Sequence, residues 1–247
     1  MKFVVDTHSH TVSSGHAYST VLENAKAAAE NGLQLLCLTD HASSMPGAPH
    51  FWHFANQKII PRFLHGVGIL RGVEANIMNT EGQVDVLPKV KEHLDWVLAS
   101  FHEPVFTPST PEAHTEALLN VIKSGRVDAL GHLGNPNFDF DFERVLCAAA
   151  EANVLVEINN SSLSGSRIGS QPRCERIAEI GKEVGVMFTT GSDAHFAYDV
   201  GKFDSVMALF AKTKIDESSI VTTSASRFLA FLESRGRAPI VDFHAFR

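Results

Sequence analysis

Histidine is frequent in this sequence, and its placement points to metal chemistry. The chain has 13 histidines and only two tyrosines among its 247 residues. Neutral imidazole is the commonest metal ligand in proteins and the usual acid or base near neutral pH. His8 and His10 form a His-x-His motif, which on its own is a weak signal. The interpretation therefore depends on where the other histidines and the carboxylates fall.

The potential metal ligands fall at the ends of predicted strands. Seven short apolar runs predict strands, most of them buried on both faces, and helical stretches separate them. These runs lie at 3–6, 34–39, 66–75, 95–101, 127–131, 154–159 and 186–191. In a parallel α/β barrel, the carboxyl ends of the strands form the face where substrates bind. The side chains at or just beyond those ends are His8, His10, His16, His41, Glu74, His102, His132, Asp193 and His195.

This convergence predicts a metal centre. A single histidine at a strand end most often packs or caps, but independent packing roles would not favour one face of the barrel on six different strands. Imidazole and carboxylate ligands suit zinc, and also manganese or iron.

The segments that carry these residues resemble the PHP family, named for its polymerase and histidinol phosphatase members. The resemblance runs in order from residue 6 to about residue 200, and the length is most similar to that of the stand-alone YcdX-type phosphatases. It implies an α/β fold, an irregular seven-stranded (β/α) barrel of the TIM type, and a centre of three divalent ions, usually zinc. The matching segments are Thr7-His8-Ser9-His10, Leu38-Thr39-Asp40-His41, Gly72-Val73-Glu74-Ala75-Asn76 and Gly191-Ser192-Asp193-Ala194-His195.

The resemblance also implies how the ligands are shared, with Glu74 bridging two ions. All nine positions hold the expected residue type. The ligands would be His8, His10, Glu74 and Asp193 for the first ion, Glu74, His102 and His132 for the second, and His16, His41 and His195 for the third.

A centre of this charge calls for an anionic substrate. Three divalent ions beside two carboxylates keep a large positive excess, and a phosphate monoester could bridge them while a metal-bound hydroxide attacks phosphorus in line. The sequence has no Cys-x5-Arg motif, so a covalent phospho-enzyme is not indicated. We therefore predict a metal-dependent phosphatase that hydrolyses a small phosphomonoester, with Asp193, His195 and Arg167 as catalytic residues.

Three other functions compete with this one. A phosphodiesterase of the nuclease type uses similar metals, an amidohydrolase-like enzyme also carries His-x-His on its first strand, and a non-catalytic metal-binding module needs no substrate. Asp and Glu number 28 against 21 Lys and Arg, which argues against binding of duplex nucleic acid or of an anionic membrane. The third set of histidines disfavours the amidohydrolase.

Several residues outside the ligand set have more than one possible role. Arg167 follows the sixth predicted strand, whose loop is free to bind substrate, and its guanidinium matches phosphate geometry; the alternative is a solvated surface arginine. Asp40 either orients an imidazole or caps a turn. The aromatic cluster at 50–54 is a lid, an oligomer contact or plain loop packing. Asp85 is predicted to be structural, and the remaining histidines (His65, His93, His114 and His244) match no ligand position.

Composition and length predict one domain. Apolar residues make up 44% of the chain, enough for a large core, and no linker interrupts the strand–helix alternation. We assign residues 1–247 to a single domain with a C-terminal tail at about 236–247. Three scattered cysteines, no long apolar run and no apolar leader at the N-terminus predict a cytoplasmic location. A homo-oligomer is left open.

Overall fold

Seven parallel strands form a nearly closed barrel in the computed structural model, which describes residues 1–246. Their order around the barrel is β1-β2-β4-β5-β6-β7-β8. Closure comes from the backbone N–H of Thr7, which donates to Thr190 O at 3.3 Å, and from a parallel bridge between Ser9 and Ala194. The strands are β1 (Val5–Asp6), β2 (Leu35–Leu38), β3 (Phe63–Leu64), β4 (Val67–Asn76), β5 (Trp96–Ser100), β6 (Ala129–Leu130), β7 (Leu155–Asn159) and β8 (Phe188–Gly191). The predicted α/β barrel is confirmed.

Helices cover the outside of the barrel. The first of them begins after Thr20, whose hydroxyl accepts from the N–H of Glu23 while the Glu23 carboxylate accepts from the N–H of Thr20. The helices are α1 (Val21–Glu30), α2 (Trp52–Asn56), α3 (Pro88–Lys91), α4 (Pro111–Lys123), α5 (Phe142–Glu151), α6 (Ser170–Val184), α7 (Asp204–Thr213) and α8 (Ala225–Ser234). Among residues 1–246, no helix is both long and apolar enough to cross a membrane.

One strand was not predicted. β3 pairs antiparallel with the start of β4, outside the barrel order, with Phe63 opposite Gly68 and Leu64 opposite Val67. The two linking residues, His65 and Gly66, have φ angles of 50° and 82°. Positive φ at both central positions is the geometry of a tight hairpin turn.

The amino ends of the strands are covered by α8 and by the segment after it. Trp96, at the start of β5, packs its ring 5.3 Å from that of Phe228 in α8. Phe243, within the predicted C-terminal tail, is fully buried and reaches Gly68 at the start of β4. The interior of the barrel at this end is therefore filled with apolar side chains.

Candidate metal centre

All nine predicted ligand side chains meet at the carboxyl ends of the strands. Seven of them are buried, the His195 side chain is 31% exposed, and His16 is exposed. Three sets of donor atoms come within 4.8 Å of one another. They are His8, His10 and Asp193; His41, Glu74 and His102; and His10, His41 and His195.

The first set lies directly above β1. The Nε2 atoms of His8 and His10 are 3.1 Å apart, and Asp193 Oδ1 is 3.5 Å from the former and 3.1 Å from the latter. Glu74 Oε2 lies 3.3 Å and 3.5 Å from the same two nitrogens. Four donor atoms thus face one small space, as the resemblance implies for the first ion.

Glu74 joins this set to the second one. Its Oε1 is 2.9 Å from His132 Nε2 and 3.2 Å from His102 Nε2, while its Oε2 faces the first set. His41 Nδ1 also lies 2.8 Å from Oε2. The two oxygens of one carboxylate therefore point to two different groups of imidazoles, which is the arrangement a bridging ligand needs.

The third set surrounds His41. The Nε2 atoms of His41 and His16 are 3.3 Å apart, and the His195 ring lies 4.8 Å from that of His16. His195 Nδ1 is 3.0 Å from Asp193 O, so its Nε2 is the nitrogen that remains free to bind a metal ion. His41 lies next to both this set and Glu74. The resemblance assigns His41 to the third ion only, whereas the structure also groups it with Glu74 and His102.

Several donor atoms at the centre are buried without a hydrogen bond. Among residues 1–246 these include Glu74 Oε2, His41 Nδ1 and His102 Nε2. Unpaired buried polar atoms are rare because each costs free energy. Here they converge, and a cation that all three could share would satisfy them together. The residues present therefore fit a metal centre.

The electrostatics favour a cation at the same place. Burial alone would lower the pKa of His8, but the surrounding carboxylates, Glu157 foremost, outweigh it and raise that pKa well above its usual value. Burial opposes ionisation of Glu74 too, yet His8 and the other imidazoles hold its pKa well below the usual range. The site thus stabilises positive charge between its carboxylates.

Two other histidines are held neutral. Burial, together with the neighbouring His41, lowers the pKa of His10 to about 3. Burial and the charge of Arg167 lower the pKa of His132 to about 4. Both imidazoles therefore keep a free lone pair at neutral pH, which metal ligation requires.

Glu157 was missed by the sequence reasoning. It sits in the middle of β7, is 2% exposed, and its Oε1 lies 2.8 Å from His8 Nδ1. Its Oε2 accepts from the backbone N–H of His132 at 2.8 Å. A buried carboxylate fixes the tautomer of one ligand and the backbone of another. The only sequence signal was a single glutamate inside an otherwise apolar strand.

Asp40 acts on a ligand through a hydroxyl. Its Oδ1 accepts from Ser14 Oγ at 2.7 Å, and Ser14 Oγ lies 3.0 Å from His10 Nδ1. Because the single hydroxyl hydrogen goes to Asp40, His10 Nδ1 must be the donor to Ser14, which leaves Nε2 free to ligate. Asp40 also accepts from Thr11, and His53 Nε2 lies 3.1 Å from it. The orienting and the loop-ordering roles are both present.

Asp85 supports a ligand one step further out. His102 Nδ1 lies 2.8 Å from Asn76 Oδ1, and Asp85 accepts from both the backbone and the side-chain amide of Asn76 at 2.8 Å and 2.7 Å. The predicted structural role of Asp85 thus includes holding the amide that orients His102.

Backbone geometry at the ligands is also unusual. His132 and Asp193 have φ angles of 31° and 55°, a region that non-glycine residues seldom adopt. A Cβ at Gly191 would lie 2.3 Å from Glu157 Oε1 and 2.3 Å from His8 Cβ. Only glycine fits between the ligand and the carboxylate that orients it.

Arg167 points at the centre. Its Nη1 is 3.0 Å from Asp193 Oδ2 and 3.0 Å from Ser162 Oγ, and 19% of its side chain is exposed. Asp193 raises the pKa of Arg167 although burial opposes this. The arginine lines a cavity of about 850 Å³, together with Asp193 and His195. The aromatic cluster does not: Phe54 is buried in the core, and Trp52 is 70% exposed.

Comparison with known proteins decides the family. The model of the PHP domain matches residues 6–161. The chain belongs to the PHP family. A probable phosphatase of Vibrio parahaemolyticus is 64% identical over 248 residues, covering 100% of this chain and 99% of the relative. One from Photobacterium profundum is 64% identical over 98% of each chain. The predicted family is confirmed, and the relatives' names agree with the predicted enzyme class, a phosphatase.

Two solved structures share the fold. A histidinol phosphate phosphatase of Lactococcus lactis, solved with zinc, L-histidinol and phosphate, has a TM-score of 0.61 at 16% identity over 87% of this chain and 95% of its own. A chain of an archaeal ribonuclease P with mature tRNA has a TM-score of 0.59 at 12% identity, over 94% of this chain and 90% of its own. At these identities, the likeness establishes the barrel alone.

Proposed function

We propose that this PHP protein is a metal-dependent phosphatase that hydrolyses a small phosphomonoester at a centre of three divalent ions. The observation that carries the proposal is Glu74, whose two oxygens face two separate groups of imidazoles within a set of unpaired donor atoms. The same full-length relatives are named probable phosphatases.

Zinc is the proposed metal. Imidazole and carboxylate ligands suit it, and it is the ion in the L. lactis histidinol phosphate phosphatase. When bound, divalent ions of this kind supply electrostatic stabilisation of phosphoryl oxygens and acidify water. The chain's own contribution is to fix the ligands: Glu157 and Ser14 each set one imidazole so that its Nε2 points inward.

Arg167, Asp193 and His195 form the substrate side of the centre. All three line the cavity of about 850 Å³, and Arg167 holds the Asp193 carboxylate on the cavity side. A guanidinium at that place can donate to phosphoryl oxygens that face away from the ligands. His195, 31% exposed at the same wall, and the exposed His16 are the proposed ligands nearest to solvent.

The cavity wall favours a hydroxylated alcohol as the leaving group. Apart from Pro136 and Ile168, the lining side chains are polar or charged, and eight of them are asparagine or serine. Amide and hydroxyl groups pair with substrate hydroxyls, whereas an apolar ring would leave them unpaired. We therefore propose a phosphorylated polyol or sugar of small size.

Hydrolysis of a substrate panel tests the reaction class. The metal-loaded protein should hydrolyse sugar and polyol phosphates, lose activity with chelator, and regain it with zinc or manganese. In ¹⁸O-labelled water the label should enter the released phosphate, because attack is at phosphorus. Label in the alcohol or a trapped phospho-enzyme would contradict direct attack. Cleavage of only diesters or amides would show that the substrate class is wrong.

The role of Glu157 has its own test. We expect Glu157→Gln to weaken metal binding about tenfold to a hundredfold, because it removes the charge that pairs with His8. Competition with a chelator of known affinity, followed by elemental analysis, measures the change. The matched control is Glu151→Gln, at an exposed position of α5. Equal chelator midpoints in the two variants would exclude an orienting role for Glu157.

A further inference from the structure

A second large cavity opens at the end of the barrel opposite the metal centre. It has a volume of about 760 Å³ and lies between α3, the turn at Gly125 and the segment 235–242. Asp95 and Asp128, which directly precede β5 and β6, mark its position at the amino ends of the strands. Its volume is in the range of pockets that bind small molecules.

Cations outnumber carboxylates in one half of this cavity. Lys91, Arg126, Arg235 and Arg237 line it, against Asp128 and the exposed Glu92. Arg237 is paired with Asp128, and Arg235 Nε lies 3.8 Å from the same carboxylate. Within residues 1–246, the guanidinium of Arg126 has no ion-pair partner. This half therefore carries about two uncompensated positive charges in a chain whose net charge is −7.

The other half is balanced. Arg62 pairs with both oxygens of Asp95, with one contact at 3.0 Å. Asp242 also lines the cavity, and its negative charge is offset by the nearby guanidinium of Arg71. An anion would consequently be drawn to the half around Lys91.

The ammonium group of Lys91 lies where the excess positive charge of the cavity is concentrated. Its Nζ donates to Gly125 O at 3.1 Å, and the residue is half-buried. Burial lowers the pKa of Lys91, and the arginines around it lower it further, while Asp128 alone opposes them. A cation crowded by cations at a partly desolvated position is stabilised by an anionic ligand.

Apolar side chains also line the cavity. Val86 and Leu94 are buried, and Ile240 and Val241 belong to the segment that covers the amino ends of the strands. Val241 is 81% exposed, so apolar surface is open to a ligand. A cavity lined by both cations and apolar side chains suits a molecule with a charged head and an apolar body.

We propose that this basal cavity binds a small organic dianion, with its charged head at Lys91 and Arg126 and its apolar body against Val241. The head is a phosphate-like group or a pair of carboxylates, and the two are distinguished by the probes below. The site is separate from the metal centre and does not depend on the phosphatase assignment.

Calorimetric titration of the metal-loaded protein tests the proposal. The probes are phenylphosphonate, which resembles a phosphate monoester and cannot be hydrolysed in the same way, and phthalate, a dicarboxylate. The test variant is Lys91→Ala/Arg126→Ala. The matched control is Lys89→Ala/Lys123→Ala, which removes two exposed lysines that do not line the cavity. Thermal melting without ligand checks that both variants fold.

We expect at least one probe to bind wild type with an event that survives chelation of the metals. The test variant should weaken that event at least tenfold, and the control should leave it within about twofold. Inhibition of the phosphatase by phenylphosphonate, which reports on the metal centre, should be the same in all three proteins. Binding only at the metal centre, or an equal loss in both double variants, would overturn the proposal.

Discussion

Glu74→Gln should abolish most of the activity and lower the metal content. The substitution keeps the shape of the side chain but removes a negative charge that sits between His8, His41 and His132. Because both oxygens are used, two metal sites lose part of their charge at once. We expect kcat to fall by about a thousandfold, which corresponds to about 4 kcal/mol. Elemental analysis should show a loss of more than one ion per chain.

The control for this variant is the same change at an exposed position. Glu81→Gln, in the turn after β4, should keep both the metal content and kcat. Since a buried carboxylate is replaced, thermal melting should be recorded for both variants to separate misfolding from metal loss. A folded Glu74→Gln protein with three ions and wild-type kcat would rule out the bridging role.

The convergence of the candidate ligands was predictable because it depends on the strand order alone. Once His41, Glu74 and His132 are each placed at the carboxyl end of a parallel strand, the barrel brings them together whatever the details of the loops. In the structure the three side chains lie close together, and Glu74 Oε1 is 2.9 Å from His132 Nε2. Which nitrogen faces the centre could not be predicted, because that depends on partners such as Ser14.

Residues that act through long-range packing were harder to predict. Glu157 reaches His8 across 149 positions of sequence, and nothing in its own strand distinguishes it from a misplaced surface glutamate. The extra strand β3 had a local signal, the His65–Gly66 turn, but the pair is not one of the usual Asn-Gly, Asp-Gly or Gly-Gly pairs of a tight hairpin. The burial of Phe243 depends on α8 reaching the amino end of the barrel, which no local pattern encodes.

Arg167 shows how a residue can serve two partners. Without substrate its Nη1 is held by Asp193 at 3.0 Å and by Ser162 at 3.0 Å, so the guanidinium is already ordered at the edge of the centre. An ordered donor loses little entropy when a phosphoryl group arrives. Burial is the main cause of the lowered pKa of His132, and the positive charge of Arg167 is the second. The guanidinium therefore lies beside the candidate metal centre, at the wall of the cavity where we propose that substrate binds.

Arg167→Ala should reduce kcat/KM by about a hundredfold while leaving the metals in place. The guanidinium offsets charge that develops on the phosphoryl group, and such contacts contribute about 2–4 kcal/mol to the transition state. Metal content should not fall, because removing a cation beside Asp193 leaves that carboxylate more available to an ion. Arg167→Lys should recover little, since a point charge lacks the planar pair of donors. The control is Arg176→Ala on α6, at an exposed position with its own partner Glu179. Steady-state kinetics and elemental analysis on all three variants give the answer, and unchanged kcat/KM in Arg167→Ala would return Arg167 to a purely structural role.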